Sequence, residues 1–149
     1  MLKSFATLIQ VAQNKTDTAA VKVGQFNARL AESAQKRDVL INYRDEYRAR
    51  LEAAIVRGAP AAEVRNFRAF LDKLDDAVRQ QEGEVAFWNV QIANARSAWQ
   101  AEQRSLNSFN TIANRRDAVA RRNAERREQK QQDEFASRAV TNARFAFGE

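Results

Sequence analysis

Apolar side chains recur along most of this chain at alternating steps of four and three residues, which place them on one side of an α-helix. The positions of a first series, 11 of 15 of them apolar, are Phe5, Ile9, Ala12, Thr16, Ala19, Val23, Phe26, Leu30, Ser33, Arg37, Leu40, Arg44, Tyr47, Leu51 and Ala54. Those of a second series, 14 of 17 apolar, are Val64, Phe67, Leu71, Leu74, Val78, Gln81, Val85, Trp88, Ile92, Ala95, Trp99, Glu102, Leu106, Phe109, Ala113, Arg116 and Ala120. Because both series keep a 3.5-residue repeat over many turns, they predict an all-α fold in which two long helices form a left-handed coiled coil.

A single break separates the two series. The chain's one proline, Pro60, follows Gly58 by two residues. Glycine can adopt the left-handed conformation that closes a helix, and proline fits the start of the next one, so this segment predicts a turn between antiparallel helices. We therefore expect one coiled-coil domain with a helix over residues 3–56, a turn at 57–60, a longer helix over 61–138 and a tail at 139–149.

The second predicted helix is longer than the first, so it must extend beyond it. If Ala54 lies opposite Val64, then Phe5 lies opposite Ala113, and residues 114–149 have no partner in the hairpin. We call residues 114–149 the overhang. A helix without packing partners is marginal in water, so we expect the overhang to fray unless another protein docks on it.

The first series is weakest between Ser33 and Arg44, where it is mostly polar. Ala34 and Ile41 lie one position further along and could face the second helix in their place. The sequence therefore leaves open a local shift in register at this point.

The overhang is basic. The chain carries 25 basic and 19 acidic residues, and 9 of the basic and 6 of the acidic ones lie in residues 114–149. Three interpretations are open: a solvated helix, a contact with nucleic acid, or insertion into an acidic protein cavity. Acids alternate with the arginines, and no aromatic residue between 115 and 130 offers a stacking platform for bases, so a protein partner is favoured.

Residue types that most catalysis requires are missing. The sequence has no cysteine and no histidine, which excludes thiolate nucleophiles, imidazole bases and the usual zinc sites. Its four isolated glycines cannot form a phosphate-binding loop. Carboxylates such as Asp75 and Glu46 precede Arg79 and Arg50 by four residues, a spacing typical of solvated ion pairs on a helix. We therefore expect a non-enzymatic protein that needs no cofactor and no metal.

No apolar run approaches the roughly 18 residues that a membrane span requires. We therefore expect a cytoplasmic protein without direct membrane insertion.

A group of aromatic and apolar residues lies partly outside the two series. Tyr43 and Phe70 each precede a series position by one residue, so they project from the flank of the interface. With the pairing given above, they lie near each other and near Tyr47. We call the resulting group the side patch, and its members are Leu40, Tyr43, Tyr47, Phe70, Leu74 and Ala77. The side patch is either an anchor for a partner protein or a broader part of the helix interface, and the sequence does not decide between the two.

Several blocks, taken together, resemble the FliJ family of the flagellar type III export apparatus. They are LINYRDEYR from Leu40 to Arg48, NFRAFL from Asn66 to Leu71, the later positions Leu74, Ala77 and Val78, the pair Trp88 and Trp99, and DEFA from Asp133 to Ala136 with Arg138 and Ala139. The blocks occur in the family's order and cover most of the chain.

The resemblance implies a stalk similar to the two-helix coiled coil of the gamma subunit in rotary ATPases. Family members insert the end that holds both termini into the hexameric export ATPase FliI, bind the export gate protein FlhA with the side of the hairpin, and escort export chaperones. The side patch would then bind the gate, at the inner membrane. The ATPase-binding residues would be Arg115, Arg116, Arg121, Arg122, Arg126, Arg127 and Phe135.

Two rival functions remain open from the sequence. One is the equivalent stalk of a virulence type III secretion system, which shares the architecture. The other is a basic helical hairpin that binds nucleic acid, although the resemblance implies no nucleic-acid partner.

Overall fold

A computed structural model of the protein describes residues 2–148, and two helices account for nearly all of them. Helix α1 spans Leu2–Arg57 and helix α2 spans Ala61–Phe147. The helices pack against each other as an antiparallel hairpin, and the described range contains no strand. The expected all-α hairpin with a longer second helix is confirmed.

The turn between the helices is built by glycine. Gly58 has a φ angle of 80°, in the left-handed region that residues with a Cβ atom rarely adopt. Its N–H donates to the carbonyl of Ile55 at 3.0 Å, and the N–H of Ala59 donates to the carbonyl of Ala54 at 2.9 Å. These two bonds form a Schellman motif, which satisfies carbonyls at the end of α1. A salt bridge of 2.9 Å between Arg57 and Glu63 spans the turn.

Helix α2 continues further than we expected from the sequence, because it ends at Phe147 and not at residue 138. No proline or glycine occurs after Gly83 until Gly148, so nothing in the backbone chemistry stops the helix earlier. The Thr141 hydroxyl also donates to the carbonyl of Ser137 one turn earlier. The tail predicted at 139–149 is therefore helical as far as Phe147, and α2 runs through the overhang as one helix.

The chain divides into two compact units. One unit combines α1 up to Ala12 with α2 from Arg104 onward, and the other unit comprises residues 13–103. We call residues 13–103 the paired region, because both of its helical segments have a packing partner.

The core of the paired region follows the predicted series. Its buried side chains are Thr16, Ser33, Ala54, Leu71, Leu74, Val78, Ile92 and Ala95. The other members of the two series within this region are half-buried. Among the described residues no side chain is completely enclosed, since each helix of a two-helix interface has only one packed face.

The unit that contains the overhang has a smaller core. Ala12 and Leu106 are buried, and the ring of Phe5 packs edge-on against Phe109 with centroids 6.2 Å apart. Every described residue from 119 to 148 is exposed. The packed interface therefore ends near the start of the overhang, as the pairing of Phe5 with Ala113 predicts.

The register shift that the sequence left open between Ser33 and Arg44 does not occur. Ser33 is buried and donates to the Glu84 carboxylate at 3.3 Å, and half-buried Arg44 donates to Asp75 at 3.4 Å. Ser33 and Arg44 can lie at the interface because each forms a hydrogen bond to a carboxylate of α2. Ala34 and Ile41 are half-buried beside them and widen the interface.

The ion pairs expected along each helix differ from those observed. Asp75 contacts Arg44 and Arg48 of the other helix, whereas Arg79 pairs with Asp76 at 2.8 Å. Asp75 is partly shielded by the interface, so a cross-helix contact replaces the solvated pair with Arg79. Sequence spacing alone does not distinguish these two partners.

Candidate functional site

The side patch contains a cluster of aromatic rings. Tyr47 lies at its centre, with ring centroids 4.5 Å from Phe70, 5.5 Å from Tyr43 and 5.6 Å from Phe67. Tyr43 and Phe70 are themselves 6.2 Å apart in an edge-on arrangement. The guanidinium of Arg50 lies 5.5 Å from the Tyr47 ring, within the range of a cation–π contact. The structure thus brings together the aromatic residues that the sequence assigned to this patch.

The members of the side patch differ in exposure. Tyr43 is 44% exposed, and Leu40, Tyr47, Phe70 and Ala77 are half-buried. Leu74 is only 7% exposed. Leu74 therefore supports the patch from within the helix interface, and the aromatic residues and their apolar neighbours provide the accessible surface.

The accessible surface extends toward the turn, beyond the residues that the sequence assigned to the patch. An open groove of about 290 Å³ is lined by Tyr47, Glu63, Asn66, Phe67 and Phe70. Phe67 belongs to the apolar series, and for that reason the sequence assigned it to the helix interface alone. Only the structure shows that Phe67 is half-buried and lines this groove together with Phe70.

The arginines of the overhang are all exposed. This holds for Arg115, Arg116, Arg121, Arg122, Arg126 and Arg127. Within residues 4–148 none of them lies in a salt bridge of the kind that Arg37, Arg44 and Arg79 form. Except for Arg116, whose guanidinium lies against the ring of Phe5, their guanidinium groups are therefore available for a partner.

Arg116 marks the place where the packed interface ends. Its guanidinium lies 4.8 Å from the ring of Phe5, so it covers the last aromatic residue of the interface. Next to it, an open groove on α2 is lined by Ile112, Arg115, Arg116, Val119, Ala120 and Asn123. Apolar and cationic side chains therefore share one surface at the start of the overhang.

Phe135 lies further along the overhang and is 76% exposed. It borders a shallow groove with Glu128, Gln131 and Gln132. It follows Val119 by 16 residues of α2, which is about four turns of helix, so Phe135 and the first arginines are separate features of one helix.

A membrane-spanning helix is not found within the described residues, since neither α1 nor α2 is long and apolar enough to cross a bilayer.

Comparison with known proteins identifies the family. A family model described as "Flagellar FliJ protein" matches residues 1–145. A curated flagellar FliJ protein of Salmonella typhi is 28% identical over 137 residues, which cover 92% of this chain and 93% of that protein. The flagellar FliJ protein of Escherichia coli strain K12 is 26% identical over 137 residues, with the same coverage. Because the matched range includes α1 and nearly all of α2, the chain belongs to the FliJ family of flagellar export proteins.

Proposed function

We propose that this protein is the stalk of the flagellar export ATPase and that the overhang enters the central pore of the FliI hexamer. The observation that carries the proposal is the continuation of α2 beyond the packed interface as an exposed, arginine-rich helix. A single helix is narrow enough to enter a pore, and no described acidic residue pairs with its arginines. Exposed ion pairs contribute only about 0 to 1 kcal/mol each, so contacts of this kind let a ring bind the stalk without locking it in place.

The side patch supports a second contact, with the export gate protein FlhA. An aromatic cluster at the edge of a narrow hairpin offers a partner a large apolar area at low entropic cost. The patch lies in the paired region, and the overhang belongs to the other unit. One molecule can therefore engage the ATPase and the gate through different surfaces, which is what coupling the two requires. In this role the protein is peripherally associated with the inner membrane through the gate.

Escort of export chaperones is the third part of the proposal, and it rests on family membership alone. No described surface favours one chaperone over another.

Titration of purified FliI with the full-length protein tests the proposed stalk. We expect ATP hydrolysis to rise with added protein and to saturate near a ratio of one stalk per hexamer. Because the contacts are mainly electrostatic, the concentration that gives half-maximal stimulation should increase with ionic strength. Hydrolysis that stays unchanged at every ratio would contradict the proposal.

The basic surface of the overhang also fits the rival function, a nucleic-acid binder. Both functions predict binding that weakens with salt, so salt alone does not separate them. The affinity for RNA and DNA, measured at the ionic strength of the ATPase titration, separates the two functions. An affinity higher than that of other proteins of similar net charge would favour the nucleic-acid binder.

A further inference from the structure

The closed end of the hairpin is almost free of charge. We call residues 53–62 the tip; they comprise the last residues of α1, the turn at Gly58 and the first residues of α2. Their sequence is AAIVRGAPAA, in which Arg57 is the one charged residue, whereas 30% of the whole chain is charged. Turns at a protein surface are usually polar, so a property other than turn formation accounts for this composition.

The apolar side chains of the tip are exposed. Val56 is 88% exposed and Ile55 is 50% exposed, and the last buried side chain of α1 is that of Ala54. Single exposed apolar residues are common on protein surfaces. Here, however, the neighbouring positions on the other side of Gly58 are alanines and a proline. Together they form a continuous apolar end of the hairpin that the core does not use.

The one charge of the tip is paired within the hairpin. Arg57 forms a salt bridge of 2.9 Å with Glu63 across the turn. A charged group can leave water at a tolerable cost only when it is paired and hydrogen-bonded. The tip can therefore enter a less polar environment without carrying an unpaired charge into it.

Basic residues surround the tip. The flanking residues 48–52 and 63–70 contain two glutamates, of which Glu63 is bound to Arg57, and four exposed arginines, Arg48, Arg50, Arg65 and Arg68. Arg48 contacts Asp75 at 3.6 Å, and the other three arginines form no salt bridge with a described residue. The Cα–Cβ bonds of a helix tilt toward its N-terminus, which in α2 is the tip. The side chains of Arg65 and Arg68 therefore extend toward the tip.

Acidic residues become frequent only further from the tip. Glu46 precedes the end of α1 by 11 residues, and Asp72 follows the start of α2 by 11 residues. This spacing corresponds to about 16 Å along each helix, whereas the Debye length at physiological ionic strength is about 8 Å. A negatively charged surface that touches the tip therefore meets the arginines and is screened from these carboxylates.

We propose that the tip binds end-on to the surface of an anionic lipid bilayer, with its apolar side chains among the headgroups and Arg50, Arg65 and Arg68 at lipid phosphates. Guanidinium groups bind phosphate in bidentate geometry. Apolar side chains flanked by basic residues hold peripheral proteins at a bilayer to a depth of about 5–10 Å. The stretch from Ala53 to Arg57 rises about 6 Å, which matches that depth.

A bilayer suits this tip better than an acidic protein surface does. An acidic protein surface would bind the arginines, but Ile55 and Val56 would need a pocket of matching shape. A bilayer accepts apolar side chains without such a pocket. The contact is shallow and involves side chains of the turn region only, so it differs from our expectation from the sequence, which considered membrane spans. It goes beyond the proposed binding of FliI and FlhA and does not depend on either.

A fluorescent probe at the tip tests the contact directly. The chain contains no cysteine, so a single substitution gives one site for a thiol-reactive, environment-sensitive dye. Val56→Cys places the dye at the tip, and Val90→Cys places it at another exposed valine of the paired region. With vesicles of equal parts phosphatidylglycerol and phosphatidylcholine, we expect a blue shift of the emission at residue 56 and none at residue 90.

Two further mixtures identify the ligand. Vesicles of phosphatidylcholine alone, and inorganic phosphate alone, should shift the emission at neither position. Because the overhang is also basic, it too can attract anionic vesicles. Co-sedimentation of the protein with vesicles while the emission at residue 56 stays unshifted would therefore overturn the proposal. An equal shift at residues 56 and 90 would overturn it as well, since the contact would then not be end-on.

Unlabelled variants measure what the apolar and basic parts contribute. Val56→Asp should weaken co-sedimentation with the mixed vesicles about tenfold, because it places an unpaired carboxylate among the headgroups. Val90→Asp changes the net charge equally and should weaken it less than about twofold, since a distant charge is screened. Both positions are exposed, so circular dichroism should show the same helical content in both variants.

The arginines have a matched control in the paired region. Arg65→Gln with Arg68→Gln should weaken vesicle binding at least about tenfold, since each basic residue near an anionic bilayer contributes roughly a fivefold change in affinity. Arg29→Gln with Arg96→Gln removes the same net charge from exposed positions away from the tip and should have a smaller effect. Equal losses in the two double variants, or in Val56→Asp and Val90→Asp, would mean that net charge alone governs binding and would overturn the tip contact. Stimulation of FliI is a separate measurement, so its failure would contradict the proposed stalk and leave this inference standing.

Discussion

The paired region and the overhang contain the same kinds of residue in the same secondary structure, but their arginines are used differently. Five of the ten arginines of the paired region lie within salt-bridge distance of carboxylates, and these are Arg37, Arg44, Arg48, Arg57 and Arg79. In the described part of the overhang, 114–148, no arginine does so. The positive charge of this protein is therefore not distributed evenly. Arginines without a carboxylate partner are concentrated in the overhang, where the packed interface ends.

The two regions also keep their helices by different means. Gly24 and Gly83 both lie inside helices of the paired region, where an added Cβ would meet no atom within 4 Å. Glycine costs a helix about 1 kcal/mol relative to alanine, and burial of the apolar series offsets that cost. From 114 to 147 the overhang contains no glycine, which fits a helix that depends on intrinsic propensity alone.

The largest difference between the regions should appear in the effect of truncating an apolar side chain. Ile92 is 5% exposed in the paired region, so Ile92→Ala removes buried surface and should lower the free energy of unfolding by about 2–4 kcal/mol. Val140 is exposed in the overhang, and Val140→Ala should change it by less than about 0.5 kcal/mol. Urea unfolding followed by circular dichroism measures both. A comparable loss for Val140→Ala would mean that the overhang is packed in solution, for example in a homodimer.

The next largest effect concerns the separation of the two binding surfaces. Replacement of Tyr43, Tyr47 and Phe70 by alanine should weaken FlhA binding by more than tenfold, because aromatic anchors commonly contribute more than about 1 kcal/mol each. The same variant should stimulate FliI as the wild type does, since the overhang is unchanged. Helical content should remain nearly intact. A large loss of helicity would instead identify the three rings as core residues of the hairpin.

Leu74→Ala provides the matched control for the side patch. Leu74 belongs to the same group in the sequence but is buried. Its truncation should therefore lower stability by about 2 kcal/mol or more and should affect FlhA binding less than removal of the exposed Tyr43 ring. Equal effects on binding would place Leu74 in the contact surface.

Limited proteolysis should reveal a difference of about tenfold in rate. Trypsin should cut between Arg115 and Arg138 at least about ten times faster than at the arginines of the paired region, because a helix without tertiary contacts opens locally at low cost. Addition of FliI should suppress the cuts in the overhang. Slow cleavage of the free protein would indicate that the overhang is already covered by another chain.

Much of the fold was predictable from the sequence, because it depends on a simple repeat and one turn. The apolar series identified the buried positions through Ala113, and Gly58 with Pro60 located the turn. The end of α2 was not predictable, because residues 139–147 contain neither a helix-breaking residue nor an apolar series. Only the structure shows that the helix continues to Phe147. The partner of Asp75 was also ambiguous, because Arg79 has suitable spacing on the same helix and Arg44 becomes its neighbour only after packing.

The candidate site was predictable to a lesser extent. Tyr43 and Phe70 stand out because they miss the apolar series by one position, and the structure brings their rings together with Tyr47. Leu74 belongs to the apolar series and is buried in the core. A residue that the sequence assigns to the side patch is therefore not always exposed.

The smallest expected effect tests the claim that the two regions maintain helix by different means. Ala69 and Ala124 are both exposed alanines of α2, the first in the paired region and the second in the overhang. A glycine at either position costs about 1 kcal/mol of helix propensity. In Ala69→Gly that cost should appear as a lower free energy of unfolding with no loss of helical signal, because packing on both sides of residue 69 holds the helix together. In Ala124→Gly the unfolding midpoint should stay unchanged, while the helical signal falls and trypsin cuts the overhang faster, since no packing opposes local opening there. If both variants instead shift the unfolding midpoint equally, the overhang unfolds together with the hairpin. The overhang would then be packed already in the free protein, and its arginines would not be available for a partner.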